Sequence, residues 1–547
     1  MLVVCGNETI MASGIAAAGV REVERRRLDD CGEWRLPVEV EEVVVQSETM
    51  TGVCGVRAAR PGVRSYGCLG IPAGATAPAR LIGALDLRTV EVWFELVGAA
   101  GELMLRTAVT DAEAVWRQSG GRLPEVVVIE GESLAALLAA YGALSGERMR
   151  ARHADWPVRG WCSWYHYYGS ESERDILDEA RALRRDGLLP AGAVIQIDDG
   201  WNLPRADAPR NWGDWWPGAK FPRGMRAVAA DIRAIGFRPG LWLAPFAADG
   251  ASELARLHPE WLVADATGGL LEEGANPVYG LDLTNPEVLE FIAATFERVF
   301  DQWGYDYVKL DFLMYAMADG RRHAPDVTRA AACHQALARI RRIAGDRFVL
   351  ACGSPLGPAV GLVDAMRVGF DTGSRWHAPM LTHVWPHGNC SVKPAAVNTL
   401  HRQWMNHRWW LNDPDCLVVR AGANAYEPEK FDDSHPGGDV AAEEFGLSDE
   451  EAGFWARLVH AVGTMLLVSE SCDSLPDQRR RLLELALRDP VAPAFELEFT
   501  ERRDVLCLQD EAEATWAFFN LGDDEAVLER PARMRHARFT EVFSGEQ

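Results

Sequence analysis

A repeating order of apolar strand and amphipathic helix, which begins after Pro157, constrains the fold of this chain more than any other feature. Helical patterns such as 286–304 and 328–345 lie between short apolar runs, and each ends in the glycine expected where a helix stops. This order predicts an α/β fold, a (β/α)₈ TIM barrel over residues 158–475. The strand candidates are VRGWCSW (158–164), AVIQID (193–198), RPGLWLA (238–244), YVKLD (307–311), FVLACG (348–353), AMRVG (365–369), RWWLN (408–412) and MLLVSE (465–470).

Both flanks of the predicted barrel are rich in β-strand patterns. Before it, short β-rich runs separated by Gly and Pro predict an N-terminal β-sandwich-like domain within residues 1–150, and a helical stretch at 133–144 connects it to the barrel. After it, residues 490–547 return to strand patterns, which predict a small C-terminal β-domain.

The charge and the cysteines exclude several classes of protein. A formal charge of −24 and a pI near 5.0 argue against a nucleic-acid or anionic-membrane surface, so a neutral small-molecule substrate is expected. The eleven cysteines show no CxxC pair and no zinc spacing, and the N-terminus lacks the basic region of a signal peptide. No stretch reaches the roughly 18 apolar residues of a membrane-spanning helix. We therefore expect a cytoplasmic protein with reduced thiols.

Several chemically active residues follow the strand candidates, at the edge where TIM barrels gather their catalytic groups. They are Asp198, Asp199, Asp311, Cys352 and Asp371. Two carboxylates at one barrel mouth can cleave a glycosidic bond, one as nucleophile and one as acid and then base, when they lie roughly 5 to 5.5 Å apart.

The neighbours of two of these carboxylates suggest how the roles divide. Lys309, two residues before Asp311 on the same strand face, favours the ionised carboxylate that a nucleophile needs. Asp371 is then the candidate acid, which must first hold a proton. Arg367 would favour ionisation of Asp371 if it pointed at that carboxylate, so we expect it to contact substrate or another acid.

Asp198 and Asp199 have two interpretations. They supply charged acceptors for sugar hydroxyls, or they form a turn or helix cap with solvated carboxylates. Trp242 is one of several Trp side chains that could stack on a sugar, although a barrel-strand Trp is more often part of the core. Cys352 could line the pocket, but a buried inert thiol is the expectation on general grounds.

Long segments of the barrel region, in this order, resemble glycoside hydrolase family 36, and within it the compact α-galactosidases (melibiases). The matching segments are GWCSWYHYY (160–168), QIDDGW (196–201), GDW (213–215) with FP (221–222), GLWLAPF (240–246), HPEW (258–261), LDLTNPEV (281–288), YVKLDF (307–312), CGSPLGPAVGLVDAMRVGFDT (352–372) and WLNDPDCLVVR (410–420).

The resemblance implies a retaining α-galactosidase with Asp311 as nucleophile and Asp371 as acid/base, without a metal or organic cofactor. It implies that the galactose site is lined by Asp198, Asp199, Trp242, Lys309, Cys352 and Arg367. Before residue 150 the chain departs from the family, because the Trp-rich segment that helps to cover the sugar has no counterpart. The candidates Trp34, Trp93 and Trp116 lie in unmatched contexts.

Three alternatives remain from the sequence. A family 36 enzyme could transfer galactose to another sugar, as raffinose synthases do, or prefer α-N-acetylgalactosamine. A sugar-binding protein without catalysis would not need both carboxylates. A metal-dependent barrel hydrolase would use the Asp cluster as ligands, but the first strand has no HxH motif. The oligomeric state is not assigned.

Overall fold

The structure is a computed structural model that describes most of the chain. The described residues are 20–27, 34–36, 40–50, 54–74, 77–99, 102–111, 124–152, 158–204, 210–265, 267–271, 277–377, 391–427, 445–462, 465–488, 496–499, 505–510, 515–521, 538–539 and 543–544.

Two antiparallel sheets form the N-terminal region and confirm the predicted sandwich-like domain. Their strands are β1 (Arg21–Arg27), β2 (Trp34–Arg35), β3 (Glu42–Val45), β4 (Gly55–Ala58), β5 (Arg64–Tyr66), β6 (Cys68–Ile71), β7 (Ala79–Ala84), β8 (Val92–Ala99), β9 (Glu102–Val109) and β10 (Glu125–Gly131). The larger sheet has the order β1-β10-β7-β6-β3-β4, and the smaller has the order β2-β9-β8-β5.

The predicted barrel strands form one eight-stranded parallel sheet within the described residues, which confirms the fold class. They are β11 (Arg159–Cys162), β12 (Val194–Ile197), β13 (Arg238–Leu243), β16 (Tyr307–Leu310), β17 (Phe348–Ala351), β18 (Ala365–Arg367), β19 (Leu411–Asp413) and β20 (Leu466–Val468); β14 (Ala247–Asp249) and β15 (Val278–Gly280) form a separate hairpin. The first strand pairs with the last. Leu417, just after β19, closes the circle by donating its N–H to the Leu467 carbonyl at 2.8 Å.

Helices alternate with the barrel strands as the sequence predicts. They are α1 (Leu134–Met149), α2 (Trp164–Tyr167), α3 (Glu173–Asp186), α4 (Met225–Ile235), α5 (Glu253–Leu257), α6 (Pro286–Glu297), α7 (Arg329–Ala344), α8 (Leu356–Ala359), α9 (Val392–His401), α10 (Asp449–Ala461) and α11 (Asp477–Leu487). The side chains of Ser172, Asn285 and Thr328 cap α3, α6 and α7 by accepting first-turn N–H groups. None of the helices in the described ranges has the length and apolar character needed to cross a membrane.

Helix α1 joins the N-terminal sheets to the barrel. The Tyr141 hydroxyl donates to the Ala84 carbonyl at 2.7 Å, and the Trp409 indole donates to Ser145 at 2.9 Å. A Cβ atom on Gly83 would lie 2.4 Å from the Tyr141 ring, so the strand needs a glycine there for the helix to approach. The helix is therefore tied to β7 on one side and to the chain just before β19 on the other.

A short segment after β3, Gln46–Met50, reaches the carboxyl edge of the barrel. Arg402 donates to the Ser47 hydroxyl at 2.6 Å, and the Asn398 amide donates to the Met50 carbonyl at 2.9 Å. The Leu356 N–H donates to the Glu48 carbonyl at 2.9 Å. These bonds fix the segment beside the loop that follows β17.

A small sheet after the barrel agrees with the predicted C-terminal β-domain. Its strands are β21 (Glu496–Phe499), β22 (Val505–Asp510), β23 (Thr515–Asn520), β24 (Arg538–Phe539) and β25 (Phe543–Ser544). The ring of Phe519 packs edge to face on Phe454 of α10, with centroids 5.5 Å apart. The sheet is thus anchored on a helix of the barrel layer.

Candidate active site

The carboxyl edge of the barrel sheet brings the predicted residues together. Asp198 directly follows β12, Asp311 follows β16 and Cys352 follows β17. Parallel pairing fixes these positions, since the Asp311 N–H donates to Leu243 at 2.8 Å and the Cys352 N–H donates to Leu310 at 2.7 Å. Residues far apart in the sequence therefore end their strands at one level of the barrel.

Lys309 links two of the carboxylates. Its ammonium nitrogen lies 3.1 Å from Asp198 Oδ2 and 3.5 Å from Asp311 Oδ2. Burial would lower the pKa of Lys309, but the two carboxylates overcome this and raise it well above its ordinary value. Lys309 is thus a permanent cation between the two acids.

Asp311 is held as an ionised carboxylate. Its Oδ2 accepts the Trp242 indole N–H at 3.1 Å, and its Oδ1 accepts the Phe312 N–H at 2.7 Å. Burial acts to raise the pKa of Asp311, but Lys309, the Trp242 hydrogen bond and Arg367 together lower it. Phe312 has a left-handed φ of 51°, uncommon for a non-glycine residue, which fits a backbone shaped around this carboxylate.

Asp371 has the opposite electrostatic character. Its pKa is raised to about 6, because burial and the negative charges of Asp415 and Asp311 together outweigh the lowering effect of Arg367 and Lys309. The side chain keeps 40 % of its surface accessible, so a ligand in the barrel mouth can reach it. Asp371 is therefore able to hold a proton in weakly acidic solution, where Asp311 is ionised.

Arg367 contacts Asp371 directly, with Nη1 2.9 Å from Oδ1. The sequence predicts instead that this guanidinium contacts substrate or another acid. It does contact other acids: Nη2 bonds to Asp415, and Nε lies 3.4 Å from Asp413 Oδ2. One cation is thus shared among three carboxylates, which explains how Asp371 keeps a raised pKa beside an arginine.

Asp198 and Asp199 lie in different surroundings. Asp198 is only 2 % exposed, and its Oδ2 accepts the Gln196 amide at 2.6 Å in addition to Lys309. Its Oδ1 accepts the Asp199 N–H at 3.0 Å, so it also braces the turn. Asp199 is half-buried and accepts the Trp212 indole N–H at 3.2 Å. Asp198 is therefore a buried ion-pair member, whereas Asp199 is the more open of the two.

Cys352 lies between the barrel and the N-terminal region. Its sulfur is 3.7 Å from the Met50 sulfur, which also accepts the Gly353 N–H at 3.3 Å. Burial, aided by the charge of Asp311, raises the pKa of Cys352, so the thiol stays neutral. Met50 thus brings the N-terminal region into contact with a predicted site residue.

The Trp candidates of the N-terminal region give no such contact among the described side chains. Trp93 packs within the sandwich, with its ring centroid 5.4 Å from that of Tyr66 and the guanidinium of Arg64 over its face. The ring of Trp34 and the whole of Trp116 lie outside the described residues.

Three residues that contact the candidate site residues are not among the sequence predictions: Asp413, Asp415 and Met50. The first two follow the seventh strand candidate in WLNDPDC, so the rule that placed Asp198 and Asp311 could have found them. Met50 has no comparable signal, because only the fold of the N-terminal region brings it to Cys352.

Comparison with known proteins gives consistent matches. The family model for melibiases matches residues 126–346. An α-galactosidase of Escherichia coli is 33 % identical over 137 residues, which are 24 % of this chain and 19 % of that protein. The α-galactosidase Mel36A of Lactobacillus acidophilus is 27 % identical over 221 residues, 39 % of this chain and 29 % of that protein. The chain thus spans less than a third of the length of these curated relatives.

Solved structures are matched over more of the chain. The α-galactosidase of Thermus thermophilus in complex with p-nitrophenyl α-D-galactopyranoside superposes with a TM-score of 0.66 at 26 % identity, covering 85 % of this chain and 90 % of that one. The same enzyme in complex with stachyose gives a TM-score of 0.65 at 26 % identity, covering 86 % and 97 %. Both superpositions span nearly the whole of the Thermus chain.

Proposed function

We propose that this chain, which matches the melibiase family model and resembles α-galactosidases of glycoside hydrolase family 36, is a retaining α-galactosidase that hydrolyses terminal α-linked galactose from oligosaccharides. One observation carries the proposal: Asp311 and Asp371 lie at the same barrel edge, and their surroundings lower the pKa of the first and raise that of the second. Two carboxyl groups whose pKa values are pushed apart are suited to nucleophile and acid roles.

The first step forms an ester. Asp311 attacks the anomeric carbon from the face opposite the leaving group. Asp371 gives its proton to the glycosidic oxygen, and the bond between that oxygen and the anomeric carbon breaks. In the second step Asp371, now a carboxylate, takes a proton from water, whose oxygen attacks the same carbon and releases Asp311. Two inversions leave galactose with its original α configuration.

The charges around the two acids support this exchange of roles. Lys309 and Trp242 stabilise Asp311 as the anion before attack and as the leaving carboxylate afterwards. The charge of Asp311 is one of the groups that raise the pKa of Asp371. Because the ester removes that charge, the pKa of Asp371 is lower in the intermediate, so Asp371 stays a carboxylate there until it takes the proton of water, as a general base requires.

The expected substrate is a small α-galactoside, which agrees with the acidic charge of the chain and with the two ligands bound by the Thermus relative. The proposed steps use only side chains and water. We also propose a cytoplasmic location, since the described thiols of Cys68, Cys162, Cys333, Cys352 and Cys416 are buried and form no disulfide with one another.

Product analysis tests the proposed function directly. We expect hydrolysis of an aryl α-galactoside, with little turnover of the matching α-glucoside or α-N-acetylgalactosaminide, and proton NMR during early turnover should show α-galactose first. Initial β-galactose would contradict double displacement, and equal turnover of the three glycosides would contradict the specificity. A galactosylated sucrose product in the presence of sucrose would favour a transferase.

The surroundings of Asp198 and Asp199 predict different results for their Asn variants. Asp199→Asn replaces a half-buried charged acceptor, and a hydrogen bond to such a group contributes about 1.5 to 3 kcal/mol, so kcat/KM should fall roughly ten- to hundredfold. Because a sugar lacking the contacted hydroxyl never made this bond, the loss should shrink on the 4-deoxy or the 6-deoxy galactoside.

Asp198→Asn instead loosens Lys309 and, through it, Asp311, so its loss should be similar on the parent galactoside and on both deoxy sugars. Kinetics of both folded variants on the three substrates distinguish these patterns. An Asp199→Asn loss that is the same on all three would mean that Asp199 does not contact those hydroxyls.

A further inference from the structure

Asp415 is a buried carboxylate beside the proposed acid that the mechanism above does not use. It is 1 % exposed and follows β19 in a left-handed conformation with φ 85°. Its Oδ2 accepts the Thr372 N–H at 2.8 Å and the Tyr165 hydroxyl, and its Oδ1 accepts the Cys416 N–H at 2.7 Å and Arg367 Nη2. Both oxygens are therefore fixed by donors from three parts of the barrel.

Asp415 is one of three carboxylates that contact the guanidinium of Arg367. Arg367 reaches Asp371 through Nη1 at 2.9 Å, and it bonds to Asp415 through the other terminal nitrogen. The third nitrogen of the guanidinium, Nε, lies 3.4 Å from Asp413 Oδ2. Asp413 also accepts the Asp415 N–H at its Oδ1, at 2.9 Å. A single guanidinium is thus oriented by two fully buried acids, while the third acid faces the barrel mouth.

The sharing of Arg367 among three carboxylates affects the pKa of Asp371. An arginine paired with one aspartate lowers the pKa of that aspartate by about 1 to 3 units, which would leave Asp371 ionised even in weakly acidic solution. Here three carboxylates compete for one positive charge. The described elements bring these charged and titratable groups toward Asp371 and Arg367: Lys309 on β16 and Asp311 after it, Cys352 after β17, Asp413 at the end of β19 and Asp415 after it, and Tyr165 on α2.

We infer that Asp415 is a positioning residue for the proposed reaction: by holding one arm of Arg367 and neutralising its charge, it lets that arginine orient Asp371 while Asp371 keeps the proton it must donate. This inference rests on the proposed function for its kinetic meaning, but the proton itself can be measured without substrate. Asp413 supports the same arrangement more weakly, because its contact with Arg367 is longer.

Asp415→Asn tests the inference. Asn has the same shape and tolerates the left-handed conformation, so the variant keeps the backbone while losing the charge. For a galactoside with a sugar leaving group, the alkaline limb of kcat/KM should move from near pH 6 to lower pH by about one unit, which is about a tenfold loss above the limb. Well below the limb the loss should be small.

Three comparisons separate positioning from a general structural effect. With α-galactosyl fluoride, which needs little protonation to leave, Asp415→Asn should lose much less activity above the limb than with the sugar substrate. Asp413→Asn should move the limb in the same direction by a smaller amount. Asp364→Asn is the matched control, because Asp364 is an equally buried acid bonded to another arginine, Arg341, at the opposite end of β18, and it should leave the limb in place.

Titration without substrate separates failure of this inference from failure of the proposed function. The proton-binding curve of the parent minus that of Asp371→Asn gives the titration of Asp371, and the same difference in the Asp415→Asn background should lie at lower pH. An unmoved Asp371 titration, or an unmoved alkaline limb, overturns the inference whatever the substrate turns out to be. A parent that titrates as expected but hydrolyses no α-galactoside overturns the proposed function alone.

Discussion

Replacing Asp311 with alanine is expected to reduce kcat/KM on every α-galactoside by on the order of 10⁴-fold or more, because no other group takes its place at the anomeric carbon. The loss should be as large for a dinitrophenyl galactoside as for a galactosyl oligosaccharide, since a better leaving group does not replace the nucleophile. Steady-state rates on both substrates measure this. Lys309 loses one of its two anionic partners in the variant, so circular dichroism and thermal unfolding should accompany the kinetics.

Azide gives a sharper readout for the same variant. Placed in the space of the missing carboxylate, azide can displace an aryloxide once, and the product should be β-galactosyl azide because a single displacement inverts the carbon. Asp306→Ala is a suitable control, since Asp306 lies at the amino end of the same strand and pairs with Arg233 on the surface. Substantial turnover by the Asp311→Ala variant would contradict the assignment of Asp311 as the nucleophile.

Replacing Asp371 with alanine is expected to separate substrates by their leaving groups. A sugar leaving group departs only when protonated, so its kcat/KM should fall by about 10²- to 10⁴-fold. A dinitrophenolate leaves without a proton, so ester formation should be nearly unaffected, and the galactosyl-enzyme should accumulate because no base activates water. A burst of dinitrophenolate equal to the enzyme concentration, followed by slow turnover, measures this.

Azide distinguishes the two variants by stereochemistry. With Asp371→Ala it attacks the galactosyl-enzyme without needing a base, so turnover should rise and the product should be α-galactosyl azide, after two displacements. The alkaline limb near pH 6 should also disappear from the residual activity, because the group that holds the proton is gone. An Asp371→Ala enzyme with equal losses on both leaving groups, or with β-galactosyl azide as product, would contradict its assignment as acid/base.

The barrel could be predicted from the sequence because its signals are local. Barrel strands such as β12 and β16 are buried on both faces and read as short apolar runs, and helices such as α3, α6 and α7 follow a residue whose side chain caps them. The order of those strands and helices is compatible with few fold topologies. Among them, the TIM barrel places the carboxyl ends of all its strands at one edge. For that reason the sequence alone could predict that Asp198, Asp311 and Cys352 lie at that edge, without knowledge of any contact.

The sequence by itself also determined that Lys309 and Asp311 share a face, because two residues on one strand are related by its period of two. Only the tertiary structure decided how Arg367 is divided among Asp371, Asp413 and Asp415, and that Met50 touches Cys352. A guanidinium has several donors and a long side chain, so its partners depend on which strand ends surround it and at what distance. The pKa of Asp371 depends on its burial and on that division of one charge, and no spacing in the sequence expresses either of them.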